Sequence, residues 1–158
     1  MSMNLGKHID LTSLRQYLEF KKERGVVYIY DPVRRKFLVH TPEETVRQLV
    51  LQFLIRERNY PASLLAVEKL IKVNEMPKRF DILAFDKSNR PLLLVECKAP
   101  QIRVSADAFF QSSAYNLVLN VPFMLVTNGL EIYCCRMDYE NKSYSFLSEI
   151  PPYPMGNS

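Results

Sequence analysis

Glycine is scarce in this chain: 158 residues hold only 4, set against 10 prolines. That balance excludes a low-complexity or disordered polypeptide, and 47% hydrophobic with 24% charged residues is a globular composition. Histidine is scarcer still. His8 and His40 are the whole supply, and neither has catalytic company in the sequence. Cysteine is limited to Cys97, Cys134 and Cys135, an odd number without metal-site spacing. Adjacent Cys134 and Cys135 would close only a strained ring, so the thiols read as reduced, in a cytoplasmic protein. No apolar run approaches the roughly 20 residues that span a bilayer. Met1 to Lys7 contain no apolar signal core, so neither membrane insertion nor secretion is expected. A glycine-rich phosphate loop is missing too, so translocation driven by this chain is not expected. The net charge of +4 is compatible with a polyanionic partner without identifying one.

What the chain does have is a concentrated stretch, Arg79 to Lys98. Two apolar runs, Phe80 to Phe85 and Leu92 to Val95, flank the turn formers Asp86-Lys87-Ser88-Asn89-Arg90-Pro91, which predicts a β-hairpin. Asp81 opens the first strand; Glu96 and Lys98 close the second and share one face of it. Folding about the turn gathers all three charges at one end. Two carboxylates and a lysine at the edge of an apolar hairpin are costly to desolvate unless paired. A divalent cation would pair them, whereas the plain alternative is a surface ion-pair cluster.

Around this hairpin the pattern alternates. Residues 1–14 read as a loose arm. Tyr17 to Lys21 and Val26 to Tyr30 read as an N-terminal hairpin about Glu23-Arg24-Gly25, broken by Asp31-Pro32. Arg34-Arg35-Lys36 is a basic cluster, more often a solvated turn than a grip on phosphates. Thr41-Pro42-Glu43-Glu44 predicts a helix start, with Thr41 as N-cap and Pro42 in the first turn. The helix then runs to about Arg58 on an apolar stripe of Val46, Leu49, Val50, Phe53 and Leu54, with Arg47, Gln48, Arg56 and Glu57 mainly outside. Glu44 fits a capping box, and Glu43 is expected along the buried face. Leu64 to Val73 reads as a strand carrying Glu68, a salt-bridge partner rather than a ligand. Residues 106–119 read as a second helix. Pro122 to Val126 and Leu130 to Cys135 are strands about Thr127-Asn128-Gly129, where Asn-Gly favours a primed turn. A strand at Tyr144 to Leu147 and a solvated Pro-rich tail over residues 150–158 complete the chain. The expected architecture is a single α/β domain over residues 1–158, a mixed central sheet flanked by helices with an additional N-terminal hairpin.

A carboxylate on one strand and a carboxylate-x-lysine on the next suit metal-assisted phosphodiester hydrolysis. Asp81, Glu96 and the Cys97 carbonyl are hard oxygen donors for Mg²⁺, with Mn²⁺ as a substitute. Lys98 would stabilise hydroxide or position the phosphate. Asp81…Glu96-Cys97-Lys98 resembles the PD-(D/E)XK nuclease signature, with Phe80 at the variable proline position. More narrowly, about Val26 to Cys135 is similar to the N-terminal domain family of type I restriction enzyme R subunits. Tyr30-Asp31-Pro32-Val33-Arg34, Thr41 to Gln48, Ala66-Val67-Glu68, Gln111 to Asn116 and Thr127-Asn128-Gly129 carry that resemblance. It implies a restriction endonuclease-like fold and endodeoxyribonuclease activity. It also implies DNA as partner, other restriction-modification or motor subunits, and a homodimer as one arrangement for cutting both strands. It carries a Gln-x-x-x-Tyr pair onto Gln111 and Tyr115, and an acidic first-helix position onto Glu43 or Glu44. The alternative of a different class is a catalytically silent nucleic-acid-binding or assembly module that keeps the fold.

Overall fold

The computed structural model describes residues 7–8, 11–73, 75–105 and 120–155. Ten strands and one α-helix are formed among them. The strands are β1 (Lys7–His8), β2 (Phe20–Glu23), β3 (Val26–Asp31), β4 (Lys36–Val39), β5 (Leu65–Val73), β6 (Met76–Phe85), β7 (Pro91–Cys97), β8 (Phe123–Thr127), β9 (Glu131–Asp138) and β10 (Ser143–Phe146); the helix is α1 (Pro42–Glu57). Short 3-10 turns cover Thr12–Tyr17 and Ala62–Leu64.

The main sheet runs β1-β9-β8-β7-β6-β5, with β10 also on β9. Only β7 and β8 run parallel, so the sheet is mixed, as expected. β7 lies in its middle and is covered on both faces, which is why Leu92 to Val95 is an unbroken apolar run. Leu93 and Val95 join the core beneath α1, while Leu94 joins Phe80, Leu83, Met124 and Val126 on the other face. The predicted second helix, residues 106–119, lies outside the described residues.

The N-terminal hairpin forms and gains a third strand: β2-β3-β4 is a separate antiparallel sheet. Its tight β2–β3 turn places Arg24 and Gly25 at φ +50° and +80°, the two positive angles of a primed hairpin turn. The Asn128-Gly129 turn differs from the primed expectation. Only Gly129 has positive φ there, and the Asn128 side chain organises the turn by accepting from the Leu130 and Glu131 amides at 2.9 and 2.8 Å.

Helix α1 starts as expected, the Thr41 hydroxyl accepting from the Glu44 amide at 3.0 Å. Its solvent face follows the expectation only in the last turn, where Arg56 and Glu57 are exposed, and not at Arg47 and Gln48. Every residue from Glu44 to Leu54 is buried, Arg47 at 4% and Gln48 at 0% exposure. The helix touches β3 on one side and β7 on the other, so a sheet stands where water was expected.

The two chain ends also differ from a loose arm and a solvated tail. Lys7 and His8 pair with β9, and Leu11 and Leu14 are buried. Ile150 and Tyr153 are buried in the core beneath α1. The Tyr153 amide donates to the Arg58 carbonyl at 2.8 Å, and the Tyr60 hydroxyl donates to the Pro151 carbonyl at 2.9 Å. Prolines without amides leave few donors to satisfy, so this segment packs irregularly, with Ile150 and Tyr153 buried and Pro152, Pro154 and Met155 exposed. Among the described residues, no helix is long and apolar enough to cross a membrane.

Candidate active site

The β6–β7 ladder pairs Ile82 with Val95. One step further the strands place Asp81 against Glu96, and there a side chain takes over from the main chain. Asp81 Oδ2 accepts the Cys97 amide at 2.8 Å, which fixes the carboxylate in the gap between the strands. Its Oδ1 accepts from Arg47 Nη2 at 2.9 Å. Glu96 sits beside Asp81, with Lys78 and Lys98 also acting on its charge. Lys98 is half-buried just past β7, its amide donating to the Thr127 carbonyl at 2.8 Å. The hairpin thus brings Asp81, Glu96 and Lys98 to one end.

Burial first, and the Asp81 charge next, push the Glu96 carboxyl up to about 7, against the opposing pull of Lys78 and Lys98. The Cys97 thiol is fully enclosed, and burial pushes it well up, so its carbonyl rather than its sulfur is the donor it offers. The raised Glu96 pKa has a measurable sign. A carboxyl near 4.3 when unfolded and near 7 when folded costs stability as pH rises between those values and holds that cost above them. In metal-free buffer, Glu96→Gln should therefore match the parent protein at pH 4 and exceed it by up to about 3 kcal/mol at pH 8, read from urea midpoints. Equal stability of the two proteins at pH 8 would contradict a desolvated Glu96.

Behind the carboxylate pair lies an ion-pair lattice that the sequence reading did not find. Asp31 is fully buried, its Oδ1 accepting from the Val33 and Arg34 amides, both at 2.8 Å. Its Oδ2 accepts from Arg34 Nε at 2.7 Å and Gln48 Nε2 at 3.0 Å. Arg34 extends on to Glu44 at 2.8 Å and Glu68 at 3.1 Å. Arg47 pairs with Glu44, approaches Glu68 at 3.5 Å, and closes the lattice on Asp81. Burial works against the charge on Arg47, but the Asp81 hydrogen bond and the charges of Glu44 and Asp81 outweigh it and raise its pKa. Four carboxylates, from Asp31, Glu44, Glu68 and Asp81, share two guanidiniums, so the cluster keeps a negative surplus.

Two local features serve this lattice. Glu68 holds φ +53° in the middle of β5, a left-handed conformation that is unfavourable for a non-glycine residue. The flanking pairs Val67–Ile82 and Lys69–Phe80 set it directly across from Asp81. On α1, Glu44, Arg47 and Gln48 are spaced three and four apart and share a face. That spacing, with Asp31-x-x-Arg34 as a turn signature, was the available signal.

The first-helix glutamates exchange their expected directions. Glu44 turns inward to Arg34, Arg47 and Gln48. Glu43 has a side chain 48% exposed, with Oε1 3.8 Å from Arg47 Nη2 at the rim of the Asp81 site. Thr41 caps the helix whichever way the glutamates turn, so the capping signal could not decide between them. Gln111 and Tyr115 lie outside the described residues.

Among the described residues, no three His, Cys, Asp or Glu side chains converge as a preformed metal cage. The donors fit Mg²⁺ nonetheless, because that ion is held by one or two carboxylates plus water and phosphate oxygens. Asp81 and its neighbour Glu96, whose pKa is raised, offer such donors in a cluster with surplus formal negative charge.

Comparison with known proteins bears on this geometry. The family model described as type I restriction enzyme R protein N terminus matches residues 42–151. A solved fragment structure assigned to an HsdR subunit of a type I restriction enzyme from Vibrio vulnificus YJ016 shares the fold. Its TM-score is 0.51 at 20% identity, over 72% of this chain and 24% of that one. The present chain therefore spans about a quarter of the length of that solved relative. Among curated proteins, none matches the chain. With a family match across most of its length, including both strands of the carboxylate hairpin, the chain belongs to the type I restriction enzyme R protein N-terminus family.

Proposed function

We propose that this chain is a Mg²⁺-dependent nuclease that hydrolyses DNA phosphodiester bonds, an endodeoxyribonuclease working with other restriction-modification subunits. The observation that carries this reading is the Asp81–Glu96 pair beside Lys98 at the open end of the β6–β7 hairpin. Asp81, Glu96 and the Cys97 carbonyl would hold the ion. A bound Mg²⁺ acidifies water and neutralises charge on the phosphate. The protein groups supply the rest. Arg47 and the Cys97 amide hold Asp81 in one orientation. Glu96 would give up its proton to serve as a ligand, and Lys98 would stabilise the attacking oxygen or position the phosphate. Glu43, at the exposed rim, would contact water at the site, and Gln111 with Tyr115 are assigned to the substrate side on family resemblance alone.

A second reading has its own support. Arg47 already neutralises Asp81, as it would in a silent module that binds nucleic acid without cutting. Supercoiled plasmid separates the two. The nuclease reading expects nicked and linear DNA with Mg²⁺ or Mn²⁺ and none in EDTA. DNA binding with no metal-dependent conversion supports the silent module.

A further inference from the structure

Past the carboxylate pair, β5 and β6 run on together. β7 ends at Cys97, so among the described residues Met76 to Arg79 pair with β5 alone, and β5 is the last strand of its sheet. Residues 69–79 therefore form a two-stranded ribbon leading away from the end of the hairpin where Asp81 and Glu96 meet. Its sequence holds Lys69, Lys72, Lys78 and Arg79 against Glu75 alone. Lys69 lies across from Phe80, Leu70 from Arg79, Ile71 from Lys78 and Lys72 from Pro77. Cross-strand partners share a face and neighbours alternate, which sorts the charges into two rows. Lys69 and Lys78 lie on the side of Phe80 and Ile71, which pack in the core away from α1. Lys72 and Arg79 lie on the other side, the one from which Asp81 reaches Arg47. Arg79 is two residues, about 7 Å, along that row from Asp81. Lys69, Lys72 and Arg79 are exposed, as are Leu70 and Met76 between them. Glu75, at the tip, belongs to neither row.

We infer that this ribbon enters the major groove of duplex DNA and holds the phosphates on both of its walls. The inference deepens the nuclease reading and rests on it for the choice of DNA. The major groove is wide enough to admit a two-stranded β-ribbon. Its walls carry phosphates on either side, so a ribbon with cations on both faces matches it. Residues 69–79 contain no aromatic side chain, so unpaired bases would find no ring to stack on, and the duplex is the form that fits. The ribbon also answers an electrostatic need. The carboxylate cluster repels the phosphate it must hold, and Arg79 and Lys72 offset that repulsion from the same face.

The test is fluorescence anisotropy of the 158-residue chain in EDTA, with a labelled duplex and a single strand of equal length as probes. Plasmid conversion is scored separately, so the ribbon and the nuclease can fail independently. The duplex should bind more tightly than the single strand. Lys72→Ala and Arg79→Ala on one face, and Lys69→Ala on the other, should each lower the salt slope by about 1. Combining the three should weaken duplex binding more than about tenfold. Lys22→Ala and Lys36→Ala, equal charge changes on β2 and β4, should have little effect. Glu75→Gln should tighten binding, and it covers the case in which the lysine variants aggregate through the bared edge of β5. A slope change confined to one face overturns groove entry, as does preference for the single strand or an equal loss in the β2 and β4 controls. Unchanged duplex affinity in soluble ribbon variants overturns it too, and the lysines would then only keep an open strand edge from pairing with another chain.

Discussion

Asp81→Asn should reduce Mg²⁺-dependent DNA cleavage about a thousandfold or more, because it removes one of the two carboxylate charges available to a cation. Asparagine is the informative replacement. Its amide oxygen can still accept the Cys97 amide that Asp81 Oδ2 now accepts at 2.8 Å, so the hairpin end keeps its shape while the charge is lost. Lys98→Ala tests the other side of the chemistry. It should leave metal binding intact and slow cleavage about 10²–10³-fold, the usual effect of deleting one preorganised electrostatic group. Mn²⁺ titration alongside plasmid cleavage separates these effects: Asp81→Asn should lose both, Lys98→Ala only turnover. Full cleavage by both variants would remove these residues from the site.

Arg47→Ala is expected to be the most damaging single change to stability, costing about 3–5 kcal/mol. The guanidinium is buried and bridges Glu44 and Asp81, with Glu68 at 3.5 Å. Removing it leaves carboxylates facing one another in a poorly solvated space, and that exposed repulsion sets the size of the loss. Chemical denaturation should show a lower midpoint with an unchanged slope. The second substitution Glu44→Gln should recover part of the loss, because it removes one uncompensated charge, and the double-mutant cycle measures the coupling. A cost below about 1 kcal/mol for Arg47→Ala would mean that the lattice is solvated and contributes little.

The carboxylate hairpin was legible in the sequence because its information is local. Residues 80–98 contain two strands and their turn, so the register alone puts Asp81 against Glu96. The turn also carries its own signature, Asp86 Oδ1 accepting from the Ser88 and Arg90 amides. Helix α1 was legible for the same reason, through Thr41 and Pro42. The direction of its polar residues was not. A helix with a strand layer on each side has no water face along Glu44 to Leu54, and periodicity assigns polar residues to water by default. Arg47 and Gln48 then appear as surface residues, although they are the groups that pair with Asp81 and Asp31.

The same contrast applies at the ends of the chain. Proline richness identified residues 150–155 as irregular, which they are, but irregularity is a local property and solvation is not. Tyr153 is buried because Tyr60 and Arg58, some 90 positions earlier, offer a ring at 5.3 Å and a carbonyl at 2.8 Å.

By itself, then, the sequence determined the helix start and the carboxylate hairpin, because each is set by neighbours within a strand or a turn. Tertiary structure alone decided that Asp81 is held by an arginine from α1 and that Glu44 rather than Glu43 turns inward. It also decided that Arg34 joins the β3–β4 turn to the site. Those outcomes depend on which buried charges meet across different elements. The energy of such meetings comes from excluding water between segments far apart in the chain, which no local pattern encodes.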